Sequence, residues 1–232
     1  MKISIIMSTF NSENVIENSI KSLLNQSYKD YEILISDDNS TDSTYDILKN
    51  YEKNNNLIKV FKNKQNIGLT KSLNKLVSKS NGILIARQDA DDISFQNRLE
   101  KQVNFIKKYN LDFCTSRAIT TPEEKIRPKF SFYFPKKMII KYKNPFIHGS
   151  LLIKKSVIES LGGYDENFYY AQDYKLMYDL LRNNYKCKIL NEVLYGLNTK
   201  NNISELKKTE QKYYADCVRK QIQPKQFNEN LY

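Results

Sequence analysis

The chain has 232 residues, is 40% hydrophobic and 27% charged, and carries a net charge of +11 at pH 7, a balance that fits one soluble globular unit with a real core. No stretch approaches the roughly 18 consecutive apolar residues of a spanning helix, and the N-terminus has neither the length nor the cleavage pattern of a signal peptide, so a cytosolic protein is expected. Cys114, Cys187 and Cys217 stand far apart with no C-x-x-C pair, which argues against a zinc knuckle or a disulfide framework and for buried thiols.

In chain order, residues 3–9 form a short apolar run, after which Val15, Ile16, Ile20, Leu23 and Leu24 recur at helical spacing. The pairing repeats three times. Residues 31–36 (YEILIS) precede a helix with Tyr45, Leu48 and Tyr51 on one face, residues 57–61 (LIKVF) precede one with Leu69, Leu73, Leu76 and Val77, and residues 83–86 precede one with Leu99, Val103 and Ile106. Apolar strands alternating with amphipathic helices predict an α/β fold: an open, mostly parallel sheet flanked by helices. Residues 111–119 predict a further strand, and 120–129, with Pro122 and Pro128, a surface loop. Beyond it the pattern predicts a strand over 149–153, a short helix over 156–161 ended by Gly162-Gly163, a helix over 171–183 and strand over 187–197. A polar tail with helical character follows from residue 198.

Ligands of open α/β sheets bind beyond the carboxyl ends of the strands. There the chain places Ser8-Thr9-Phe10-Asn11, Asp37-Asp38-Asn39-Ser40 and the cluster ARQDADDIS at 86–94. With six glycines and neither G-x-G-x-x-G nor G-x-x-x-x-G-K-[ST], the chain has no backbone cradle for phosphates. Carboxylates can hold a diphosphate only through a cation, and Asp89-x-Asp91 supplies the hard oxygens that Mg²⁺ or Mn²⁺ prefers. An EF-hand is excluded because Ile93 and Ser94 fall where that loop needs a ligand and a glycine. Helix capping accounts for Asp92 or Ser94, ahead of the Leu99 helix, and for Ser40 or Thr41. That leaves Asp38 to accept from a base N–H or a ribose hydroxyl.

The charge is also unevenly spread. From Lys125 to Ile158 there are nine Lys or Arg and no Asp or Glu, interleaved with Phe130, Phe132, Tyr133, Phe134, Tyr142 and Phe146. Such a stretch is either a solvated Lys-rich face or a surface for phosphates or an anionic membrane.

The stretches SIIMSTFN (4–11), SLLNQSYKDYEILISDDNSTDST (22–44), NIGLTKSLN (66–74), ARQDADDIS, RLEKQV (98–103), HGSLLIKKSVIESLGGYDENF (148–168) and AQDYKLMYDLL (171–181) resemble, in order, the family 2 glycosyltransferases of GT-A fold. The resemblance implies one domain over 1–197, with a nucleotide-sugar-binding half at 1–110 and an acceptor-binding half at 111–197, and a basic helical tail at 198–232. It implies a metal-dependent, inverting transfer of a sugar from a UDP-linked donor to a glycan or lipid-linked saccharide hydroxyl in cell-surface polysaccharide synthesis. Ser8, Thr9, Phe10 and Asn11 are then similar to the loop around base and ribose, and Asp38 to the base-recognising aspartate. Asp91 matches the direct metal ligand of the D-x-D, Asp89 its partner nearer the ribose, and Asn66 to Lys71, including Gly68, the donor-site loop. Lys71 or Arg87 meets the diphosphate.

In Ala171-Gln172-Asp173 a Gln stands where the family has Glu, and Asp173 matches the catalytic base. His148 is assigned to the acceptor side. The implied partners are the donor, the acceptor and an anionic membrane surface at the cytoplasmic face, and no nucleic acid. A sugar-nucleotide nucleotidyltransferase is the alternative enzyme, although STFNSENVIE lacks the Gly-rich basic loop that a triphosphate needs. A nucleotide-sugar-binding protein without catalysis is the alternative that Gln172 raises.

Overall fold

The computed structural model describes residues 1–200 and 207–225. Its first half alternates strand and helix: β1 (Ile3–Thr9), α1 (Ile16–Leu24), β2 (Tyr31–Asp37), α2 (Thr44–Asn54), β3 (Ile58–Lys62), α3 (Leu69–Lys79), β4 (Leu84–Arg87), β5 (Ile93–Ser94) and α4 (Arg98–Tyr109). The second half contains β6 (Phe113–Thr121), β7 (Ile126–Arg127), α5 (Lys136–Ile139), β8 (Leu152–Lys154), α6 (Lys155–Ser160), α7 (Gln172–Arg182), β9 (Cys187–Asn198) and α8 (Lys208–Lys220).

All nine strands join one sheet in the order β3-β2-β1-β4-β8-β6-β9-β5, with β7 added to β6. The β3-β2-β1-β4 half is parallel throughout. Strand β8 enters antiparallel to both β4 and β6, and β5 runs antiparallel to β9. The sheet is therefore mixed, and both chain halves contribute to it.

Alternate residues on each strand sort to opposite faces. Ile5, Met7, Ile33, Ile35, Leu84 and Cys114 pack under α1, α2 and α4 through Ile20, Leu48, Leu99 and Val103. Ile6, Leu34, Ile85, Phe113 and Ile153 pack under α3, α6, α7 and α8 through Leu73, Ile158, Met177 and Val218. Each such aliphatic side chain, almost wholly withdrawn from water, contributes about 2 kcal/mol. Double coverage explains why the parallel strands read as unbroken apolar runs.

Two details differ from the sequence reading. The stretch expected to open a strand at 149 begins instead with a 3₁₀ turn, His148–Ser150, and the strand starts at Leu152. Gly149 lies so close to the Tyr195 phenol that a Cβ would sit 2.3 Å from its oxygen. The polar tail is also partly core: α8 buries Tyr214, Cys217 and Val218, while 201–206 and 226–232 lie outside the described residues.

Candidate active site

Strands β1, β2 and β4 end on one rim, and the chain leaving β4 is held there by buried cations. Arg87 is 1% exposed, and its guanidinium pairs with the Asp89 carboxylate and donates to the Gln88 carbonyl. Arg98, from the first turn of α4, is fully buried. It donates to Gln88 Oε1 at 3.0 Å, Ser94 Oγ at 2.6 Å, the Arg87 carbonyl at 2.7 Å and Gln102 Oε1 at 3.1 Å, with its plane 5.0 Å from the Tyr195 ring centre. Gln88 passes this order to the acidic loop by donating to the Asp92 carbonyl at 2.9 Å.

The three carboxylates then differ. Asp92 is buried and accepts the Asn198 N–H at 2.7 Å; it caps no helix, since α4 starts after Asn97. Burial, and then the charges of Asp89 and Asp91, push its carboxyl up to about 8. Asp91 accepts one hydrogen bond, from Asn198 Nδ2 at 3.3 Å. Burial, and then the Asp89 charge, raise it above the ordinary carboxylate range.

A cation at this loop would relieve the mutual repulsion that helps to raise both acids. Hard carboxylate oxygens suit Mg²⁺ or Mn²⁺. Among the described residues no group of three or more His, Cys, Asp or Glu side chains is arranged to hold a metal ion by itself.

The loops after β1 and β2 are stitched together. Asn11, at φ 47°, donates its N–H to Ser40 Oγ at 3.0 Å and accepts the Thr41 N–H at 2.9 Å. Phe10 is 47% exposed above them, and Ser8 is half-buried. The helix start expected at Ser40 or Thr41 is organised instead by Asp42, which accepts the Thr44 N–H at 3.0 Å.

Asp38, 3% exposed, accepts from Asn63 Nδ2 at 2.9 Å, the Ile67 N–H at 2.9 Å and the Gly68 N–H at 2.8 Å. Three of the roughly four acceptor directions of a carboxylate thus hold the 63–68 loop, and at most one remains for a ligand. Gly68 has φ +86°, and a Cβ there would meet the Tyr169 ring at 2.9 Å. Asn66 is exposed and accepts the Gly68 N–H at 3.2 Å, and Lys71 is exposed on α3. At the matched positions Thr9 and Asp37, buried Thr9 Oγ1 and Asp37 Oδ1 lack partners.

The far wall is α7, whose N-cap Ala171 adopts the left-handed conformation. Asp173 Oδ2 accepts Asn144 Nδ2 at 2.8 Å. His148 Nε2 lies 2.9 Å from the Tyr164 hydroxyl. Burial, and then the Arg87 charge, depress the imidazole to about 4. Burial pushes the Tyr164 phenol up, so a neutral ring accepts from a neutral O–H. The Asp89 and Asp173 carboxylates and the Arg87 guanidinium all act on both groups.

The structure thus gathers Arg87, Asp89, His148 and Asp173 around one centre. The stitched β1 and β2 loops and Asp38 lie along the neighbouring strand ends, and Arg87, expected with Lys71 as a candidate to meet the diphosphate, is buried and paired with Asp89. Arg98, Tyr195, Asn198, Asn144 and Tyr164 were not singled out from sequence, and Asp37 was placed on the rim without a role. Arg98 stood in the quoted RLEKQV stretch, but a lone Arg in a first helical turn reads as solvated.

The profile described as Glycosyl transferase family 2 matches residues 4–162. The chain is 38% identical over 170 residues to "Putative glycosyltransferase EpsE" of Bacillus subtilis, covering 70% of this chain and 60% of that one. It is 34% identical over 184 residues to "O-antigen biosynthesis glycosyltransferase WbnJ" of Escherichia coli, covering 77% and 71%. Among solved structures, S. aureus TarS 1-349 in complex with UDP superimposes with a TM-score of 0.76 at 21% identity, over 94% of this chain and 64% of that one. The mannosyltransferase PcManGT of Pyrobaculum calidifontis, in complex with GDP-Man and Mn²⁺, gives 0.76 at 16%, over 97% and 65%. The chain thus spans less than two thirds of the EpsE relative and of both structures, and shares their GT-A fold. By profile and by relatives, the chain belongs to glycosyltransferase family 2.

Proposed function

We propose that this chain transfers a sugar, with inversion, from a UDP-linked donor to a hydroxyl of a glycan or lipid-linked saccharide in polysaccharide synthesis. The observation that carries the reading is that the short segment around His148 reaches both carboxylates: Asn144 Nδ2 donates to Asp173 Oδ2 at 2.8 Å, and Gly149 packs on the Tyr195 hydroxyl that accepts the Asp89 N–H at 3.1 Å. A donor-side carboxylate and a candidate base therefore flank one reaction centre. The base and ribose lie against Ser8, Thr9, Phe10 and Asn11, with Thr9 Oγ1 and Asp37 Oδ1 as unused polar groups and Asp38 shaping the pocket through Ile67 and Gly68. Asn66 and Lys71 line the donor loop.

Asp91, with Asp89 beside it, would hold a divalent cation, which would supply positive charge to the departing diphosphate. Asn144 fixes Asp173 Oδ2, which directs the other oxygen to the acceptor hydroxyl. Asp173 takes that proton as the oxygen attacks the anomeric carbon and the bond to the diphosphate breaks on the opposite face, so configuration inverts. Neutral His148, held by Tyr164, lines the acceptor side.

A thermal-shift screen of nucleotide sugars with Mn²⁺ identifies the donor, because a bound ligand stabilises by mass action. Asp173→Asn should abolish turnover and keep the donor-induced shift, whereas Asp91→Asn should lose the Mn²⁺-dependent part of that shift. Near wild-type transfer by Asp173→Asn would refute the base assignment, and a donor shift with no turnover in the wild type would favour the binding-protein alternative.

A further inference from the structure

Five of the thirteen exposed large hydrophobic side chains among the described residues fall between Phe130 and Tyr142: Phe130 at 69%, Tyr133 at 75%, Phe134, Met138 and Tyr142 at 73%. Their exposure is built in. Phe132 turns inward beneath the Arg117 guanidinium and the Lys136 ammonium. Lys136 Nζ ties the loop by donating to the carbonyls of Ser131, Phe132 and Phe134. Buried Ile140 anchors the following turn, its carbonyl accepting the Tyr174 hydroxyl at 2.7 Å. With the backbone pinned from below, the remaining rings face out. Exposed Lys129, Lys137, Lys141 and Lys143 surround them, with the Lys129 ammonium 5.0 Å from the Phe130 ring. No Asp or Glu occurs from 125 to 158.

We infer that residues 129–143 are a docking surface for an anionic lipid bilayer. Aromatic rings and Met enter the headgroup boundary while lysines meet anionic headgroups. A second copy of the chain is a poor occupant, because a symmetric contact sets this lysine-rich patch against itself. No helix among the described residues is long and apolar enough to cross a membrane, so the contact is a surface one. The patch runs directly into Asn144, which holds Asp173. Resting here on the proposed transfer reading, docking turns the acceptor side of the site toward the headgroups and selects a lipid-linked acceptor.

The test is co-sedimentation of the intact protein with vesicles of phosphatidylcholine alone or mixed with phosphatidylglycerol, without donor or acceptor. Binding is expected only to the anionic vesicles and should weaken with salt. Each lysine near such a surface strengthens partitioning about fivefold, so Lys137→Gln/Lys141→Gln/Lys143→Gln should bind about a hundredfold more weakly. Phe130→Ser/Tyr133→Ser/Phe134→Ser should lose the binding that survives salt. All six side chains are exposed, and circular dichroism checks that both variants fold.

No sedimentation with anionic vesicles, or equal binding by both variants, overturns the proposal. So does a dimer that either variant dissolves, which would make the patch a self-interface. Vesicle binding without turnover refutes only the transfer reading, and donor binding without vesicle binding refutes only this one.

Discussion

His148 makes the electrostatics of the site measurable. Its folded value, about 4, lies below its ordinary 6.5, so between those values the unfolded chain binds a proton that the fold refuses. The imidazole's contribution is fully present above pH 6.5 and is lost as the pH falls toward 4. A full shift of this size corresponds to about 3 kcal/mol at about 1.4 kcal/mol per unit, of which about 2 kcal/mol is gone by pH 5. Other groups titrate in the same window, and Asp91 and Asp92, being raised, pull in the opposite direction.

The informative quantity is therefore the difference between wild type and His148→Gln, whose amide carbonyl still accepts from Tyr164. Urea unfolding at pH 7.5 and pH 5 should show the wild type losing about 2 kcal/mol more than the variant. Parallel pH profiles would mean that the ring takes up a proton normally, and that burial and Arg87 do not hold it neutral.

Arg98→Lys keeps a charge but loses the fork that serves Gln88, Ser94, Arg87 and Gln102; a cost of about 2 kcal/mol in urea unfolding is expected, and a change below about 0.5 kcal/mol would show that the network is not structural. Gly68→Ala places a Cβ at φ +86° and 2.9 Å from Tyr169, so about 2 kcal/mol should be lost, with an unchanged melting temperature as the contrary result. Asn144→Ala should lower kcat about tenfold while leaving the donor-induced thermal shift intact, because it holds Asp173, the proposed base, and not the donor; a fall in donor affinity with kcat preserved would contradict that division.

The fold was legible where periodicity was strong. Apolar runs at β1, β2 and β4, each followed by a 3.6-residue repeat, sufficed for the parallel half and for the rim. What periodicity does not encode is how far a strand's partner lies along the chain, so the antiparallel insertion of β8 between β4 and β6 was invisible. Two-residue β5 and β7 offer no period at all. At the site, Asp89 and Asp91 stood out because acid concentrated at a strand end has no structural reason to be there. The groups that govern them did not stand out: Tyr195 and Asn198 return from a strand about a hundred residues later to touch Asp89 and Asp91.

The net positive charge of the chain lies largely away from the acid cluster. The chain carries thirty-seven Lys and Arg, yet among the described residues only Arg87 and Arg98 are buried beside the carboxylates. Arg87 is committed to Asp89, and Arg98, which makes no salt bridge among the described residues, spends its donors on neutral oxygens. Neither offers Asp91 an ion pair, so burial, and then the Asp89 charge, raise its pKa against only a weaker opposing pull from Arg87. The fold thus carries two arginines into the rim and still leaves one carboxylate uncompensated. On the transfer reading proposed above, a divalent cation carried in with a diphosphate would supply the charge that the protein withholds, so Asp91, and not the better-paired Asp89, is the position where substitution should tell most directly on metal-dependent donor binding.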